Sequence, residues 1–147
     1  MRRAEHTAGV LIAAPVEQVW DVVTDWERQH EWIPLTRVWR TGGTPGEPGE
    51  TVTARTGIGR LAFDDTIVVD EVDRPWRCRV QHTGRVVHGV GEFRLIEVPE
   101  GTRLLWWEQV RVPGGPLAPL LWRLGSPVVT VSFALALRRL ARLVERV

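Results

Sequence analysis

Val10-Leu11-Ile12-Ala13-Ala14-Pro15-Val16-Glu17-Gln18-Val19-Trp20-Asp21-Val22-Val23-Thr24-Asp25-Trp26 sets an apolar run, a proline and an amphipathic segment in immediate succession. Val10 to Ile12 reads as the end of a short strand, and Pro15 suits a first helical turn, where a missing N–H costs nothing. Val16, Val19, Trp20 and Val23 then recur at i, i+3, i+4 and i+7, which puts one apolar face on a helix whose other face carries Glu17, Gln18 and Asp21. Thr24 with Glu27 three residues on has the form of a capping box, predicting a second short helix to about Trp32, ended by Pro34. Two helices are thus expected between the first strand and the second.

Working outward, strands are expected at Thr7–Ile12, Thr36–Thr41, Thr51–Thr56, Leu61–Val72, Trp76–Thr83, Val86–Val98 and Thr102–Val112, seven in all. The short links Thr83-Gly84-Arg85 and Pro99-Glu100-Gly101 demand antiparallel hairpins. After Pro113-Gly114-Gly115-Pro116 an apolar helical stretch begins near Leu117, and Gly125-Ser126-Pro127 is expected to kink or split it. Beyond Pro127, Val129, Phe133, Ala136, Leu137, Leu140, Val144 and Val147 form one stripe, with Arg138, Arg139, Arg142 and Arg146 mostly off it. A single amphipathic helix cannot bury such a stripe alone, so a curved sheet must wrap it.

Composition narrows the chemistry. The 147 residues suit a single domain, 1–147, and a net charge of +1 with 25% charged residues gives no basic footprint for nucleic acid. Cys78 stands alone, so no intrachain disulfide forms. No run reaches the roughly 18 apolar residues of a membrane span and no signal-peptide pattern follows Arg2-Arg3, so a cytoplasmic protein without membrane insertion is expected. All 19 basic residues are arginine and tyrosine is absent, which removes Schiff-base chemistry on lysine and acid catalysis by a phenol. Ser126 and Ser132 lie outside any Gly-x-Ser-x-Gly turn, and His6, His30, His82 and His88 share no short metal-ligand spacing, so neither a serine hydrolase nor a metal or other cofactor is expected.

Ala14-Pro15-Val16-Glu17-Gln18-Val19-Trp20, Thr24-Asp25-Trp26 and Trp32-Ile33-Pro34, with Phe93-Arg94-Leu95, Gly101-Thr102-Arg103-Leu104 and the long apolar C-terminal helix, resemble the START-like helix-grip superfamily (SRPBCC), in particular its small polyketide cyclase/dehydrase and lipid-transport proteins. The resemblance spans nearly the whole chain. It implies an α+β helix-grip fold, a seven-stranded curved antiparallel sheet around a long C-terminal helix, and a cavity for a hydrophobic small molecule such as a lipid or polyketide. It also implies that the second short helix and the start of the last helix gate the cavity mouth.

Strand alternation predicts the inward residues. Leu61, Phe63, Asp65, Ile67 and Val69 share one face; Trp76, Cys78, Val80 and His82 another; Leu104, Trp106, Glu108, Val110 and Val112 a third. Asp65, His82 and Glu108 are therefore ionisable groups on apolar faces, each needing a partner, a proton or water. They are the candidate catalytic residues, with His82 as acid/base near neutral pH. The alternative is that they sit near strand ends, solvated or paired with an arginine such as Arg55 or Arg79. Candidate ligand contacts are Trp26, Trp32, Phe63, Val80, Phe93, Trp106, Trp122 and Phe133, whereas Trp20 and Trp76 are expected to pack in the core and His6, His30 and His88 to lie at the surface. Trp106 and Trp107 must face opposite ways. Trp107 beside Leu105 then forms an outer patch, either a homodimer contact or a surface covered by a neighbouring loop.

Two functions follow: a carrier of a hydrophobic small molecule, or a polyketide aromatase/cyclase or dehydratase acting in the same cavity. Enzymes of the second kind commonly place tyrosine, serine and arginine in the pocket; this chain has no tyrosine and no serine on a predicted strand. A third reading, a protein-interaction module, would use the outer sheet instead.

Overall fold

In the computed structural model, which describes residues 2–112 and 115–146, seven strands and two α-helices follow the expected order. Strands β1 (Arg2–Ile12), β2 (Thr36–Gly42), β3 (Thr51–Thr56), β4 (Phe63–Asp73), β5 (Arg77–Thr83), β6 (His88–Val98) and β7 (Gly101–Val112) form one antiparallel sheet in the order β1-β7-β6-β5-β4-β3-β2. Helix α1 (Val16–Val23) and the long helix α2 (Ala118–Glu145) are the α-helical elements. Among the described residues no helix is long and apolar enough to cross a membrane.

The opening stretch folds as read, with one change. Pro15 is the N-cap of α1, and Val19, Trp20 and Val23 are buried. The capping box does not form, because Thr24 closes α1 and its hydroxyl donates back to the Trp20 carbonyl at 2.7 Å. The following turn, Trp26–Glu31, is a 3₁₀ helix without a side-chain cap. Its Trp26 and Gln29 turn inward.

Helix α2 runs unsplit through Pro127. Proline removes one N–H from the ladder, but Arg123 and Pro127 are both exposed, so water can satisfy the carbonyl left over. Ala136, Leu137, Leu140 and Val144 are buried, Val129 and Phe133 half-buried, and Arg138, Arg139, Arg142 and Arg146 exposed, as the periodicity requires. Val147, Pro113 and Gly114 lie outside the described residues, as does the side chain of Val112, expected to face inward.

Two inward assignments fail at strand ends. Leu61 belongs to a 3₁₀ turn, Gly59–Leu61, and is 87% exposed; Trp76 precedes β5 and is 42% exposed. Alternation holds only where the ladder fixes the pleat, and both residues lie just before it begins. Elsewhere the sheet's inner face and the two helices enclose a core that includes Ile12, Val19, Val23, Val52, Val69, Leu104, Leu137, Leu140 and Val144, with Cys78 and Val80 inside it.

Candidate functional site

Asp65 on β4, His82 on β5 and Glu108 on β7 come from three strands and meet on the inner face. His82 Nδ1 lies 2.8 Å from Asp65 Oδ2, and Nε2 lies 2.7 Å from Glu108 Oε2. Asp65 and His82 are buried. With a carboxylate at each end, both ring nitrogens are donors and the ring is an imidazolium. Burial alone would push His82 down, but the hydrogen bonds and charges of Asp65 and Glu108 outweigh it and raise the imidazole to about 10. The three groups therefore pair with one another rather than with arginine: Arg55 is engaged by Asp64 on the exposed side, and Arg79 lies over the Trp107 ring.

The arrangement depends on a gap. Gly91 on β6 sits opposite both Val80 of β5 and Glu108 of β7, between the strands that carry His82 and Glu108. A methyl group there would come within 2.8 Å of Glu108 Oε2 and 3.0 Å of His82 Nε2. Only a glycine lets the imidazole reach across β6. Trp106 adds a further clamp, its indole N–H donating to Glu108 Oε1 at 2.9 Å. Asp65 Oδ1 is buried with no hydrogen-bond partner among the described residues.

An aromatic wall continues from Glu108. Trp106 stacks on Phe133 of α2 at 4.0 Å, and lies 5.7 Å from Trp32 and 5.6 Å from Phe93 between ring centroids. Phe93 also neighbours Trp26 at 6.3 Å. Trp26, Trp32, Phe93 and Trp106 are thus brought together with Phe133, and Val80 is buried on the same face. Phe63, the first residue of β4, is half-buried. The side chain of Trp122 lies outside the described residues.

Trp26 and Trp32 are both buried, the 3₁₀ turn folding them back onto Phe93. Trp32 is fully enclosed, and its indole N–H has no partner among the described residues. Trp26 donates to Glu50 at 3.1 Å, and both line an open cleft of about 400 Å³ between α1 and the β2–β3 turn.

Two residues missed by sequence reading belong to this region. Gly91 gave no signal beyond a glycine inside a strand, a pattern that marks close approach. His6, expected at the surface, shares the β1 face of Ala4, Ala8, Val10 and Ile12 and pairs in register with Glu108. Taking the strand to begin at Thr7 hid that alternation.

On the other side of the sheet Trp107 points away from Trp106, as adjacency demands. It is half-buried, with its N–H donating to Glu5 at 2.9 Å and Arg79 over its ring. The outer patch is therefore covered in part by the chain's own side chains.

Comparison with known proteins gives the family. Among curated proteins no sequence match was found. The chain is similar to the solved structure of the ZhuI aromatase/cyclase of a Streptomyces species, at 22% identity and a TM-score of 0.75, with 99% of this chain and 94% of that one covered. It is similar also to a protein of Thermus thermophilus at 16% identity and a TM-score of 0.82, over 96% and 97% of the two chains. The di-domain aromatase/cyclase StfQ of the steffimycin biosynthetic pathway matches at 13% identity and a TM-score of 0.79, over 98% of this chain and 51% of that one. At these identities the likeness is one of fold, here the helix-grip arrangement. The sequence profile of the polyketide cyclase/dehydrase and lipid-transport family matches residues 2–145, and the chain belongs to that family.

Proposed function

We propose that the protein binds a hydrophobic small molecule with at least one polar end between the inner face of the sheet and α2. The observation that carries this reading is the continuity of Trp32, Phe93, Trp106 and Phe133 with the Asp65–His82–Glu108 group, an apolar wall that ends on buried charge. Aromatic faces offer stacking area, and Asp65 Oδ1 offers an acceptor that burial leaves costly to keep empty. Equilibrium dialysis with β-naphthol tests it: saturable uptake that Phe133→Asp abolishes is expected, and uptake that never saturates or ignores the substitution would refute it.

The Asp65 oxygen, without a partner among the described residues, also favours a second reading, cyclase or dehydratase chemistry at the same place. His82 has both nitrogens engaged and is protonated well above neutral pH, so it positions the carboxylates instead of accepting a proton. The acid/base role passes to Asp65. Its carboxylate would take a proton from a carbon between two carbonyls; the enolate would attack a further carbonyl of the same chain. The carboxyl would then return the proton to the new alkoxide, ready for loss of water. Deuterium uptake by benzoylacetone at mildly acidic pH, where uncatalysed exchange is slow, is expected to be accelerated by the protein and not by Asp65→Asn. Equal rates with both proteins would remove the enzyme reading and leave the carrier.

A further inference from the structure

We infer that His6 is a ligand-contacting residue that sets specificity in this site, its Nδ1 meeting a polar oxygen of the bound molecule on the β1 side of Glu108. The inference rests on the reading of the interior as a ligand site. Its own support is geometric. In an antiparallel pair directly opposed residues share a face, and His6 opposes Glu108, so the imidazole stands beside the carboxylate already clamped by His82 and Trp106. The His6 ring meets Phe133 edge-on at 4.6 Å, and Phe133 stacks on Trp106 at 4.0 Å. His6, Phe133, Trp106 and Glu108 thus close a ring of neighbours at the polar end of the aromatic wall.

The two histidines of this face differ in what holds them. Carboxylates occupy both nitrogens of His82, whereas Nδ1 of His6 is buried with no hydrogen-bond partner among the described residues. A buried ring nitrogen without a partner carries a desolvation cost that a ligand oxygen removes on arrival. Imidazole can donate to a carbonyl or accept from a hydroxyl by changing tautomer, so His6 suits a molecule with either group at that position. Asp65 Oδ1 and the Trp32 indole N–H are likewise buried with no hydrogen-bond partner among the described residues.

The test compares β-naphthol with naphthalene, which lacks the hydroxyl, by equilibrium dialysis against the wild type, His6→Phe and His6→Asn. His6→Phe keeps the aromatic contact with Phe133 and deletes both nitrogens; His6→Asn restores a polar atom near the Nδ1 position. Expected are an about fivefold or greater loss of β-naphthol affinity in His6→Phe, unchanged naphthalene affinity, and partial recovery in His6→Asn. In the wild type, β-naphthol is expected to shift the side-chain ¹⁵N resonance of His6 Nδ1, a readout that needs no substitution. A wild type that binds both probes with His6→Phe changing neither, and with the His6 resonance unmoved, would overturn the inference and leave the ligand site standing. Failure of the wild type to bind either probe would overturn the site itself, and His6 with it.

Discussion

Two buried carboxylate clusters lie on opposite faces of the same sheet, and they solve the cost of burial differently. On the outer face Glu92 is 7% exposed and takes Arg77 and Arg94, both partly open to water. Burial would raise its carboxyl, but the two guanidinium groups outweigh that and hold it below the usual range. Glu92 has two cations, one of which, Arg77, also reaches Glu71 at 2.8 Å, and among the described residues no buried side-chain atom of the cluster lacks a partner. On the inner face two acids share one imidazolium, Asp65 keeps an oxygen without a partner among the described residues, and Arg55 and Arg79 are engaged elsewhere. The outer cluster is what an ion network looks like when it joins strands; the inner one leaves a surplus acceptor beside an aromatic wall. The proposed site rests on that difference.

Replacing the shared cation should break the inner cluster hardest. His82→Ala leaves Asp65 and Glu108 buried without it, and we expect a loss of about 3–5 kcal/mol in denaturant unfolding. A loss under about 1 kcal/mol would mean that water already fills the region.

Next in size is the pH response. His82 is raised from 6.5 to about 10 on folding, so its contribution is full below about pH 6.5 and is lost as pH rises through about 10. Across that window the folded state binds a proton that the unfolded state has released. Wild-type stability should therefore fall by up to a few kcal/mol relative to His82→Gln. Parallel stability curves for the two proteins, measured by calorimetry from pH 6 to pH 10, would contradict the assignment.

Gly91→Ala is a finer cut. The added methyl would meet the Glu108 carboxylate and His82 Nε2, so a cost of about 1–3 kcal/mol is expected together with a lower His82 pKa by NMR titration. An unchanged pKa would show that the gap across β6 is incidental. Smallest is Glu92→Gln on the outer face, where the exposure of Arg94 and Arg77 limits the loss to about 1 kcal/mol and no probe affinity should change.

The fold was legible because its signals are local. Apolar spacing in α1, glycine and proline turns, and alternation within β4, β5 and β7 are written in consecutive residues. The same alternation found Asp65, His82 and Glu108, since a charge on an apolar face is visible strand by strand. Their mutual pairing was not legible, because it depends on register across β5, β6 and β7 and on a space at Gly91 that no neighbouring residue records. His6 could have been found by extending the expected first strand three residues, from Thr7 back to Ala4. Trp26 and Trp32 lie in the element expected, but that element is an uncapped 3₁₀ turn in place of the capped helix, and both rings fold inward.

The claim that the inner cluster faces a ligand and the outer one does not can be read in one spectrum. Side-chain ¹⁵N NMR of the imidazoles and of the Arg77 and Arg94 guanidinium groups, recorded with and without saturating β-naphthol, samples both faces at once. We predict that His82 and His6 shift while Arg77 and Arg94 stay fixed. Movement of the arginines with both histidines unchanged would contradict the account.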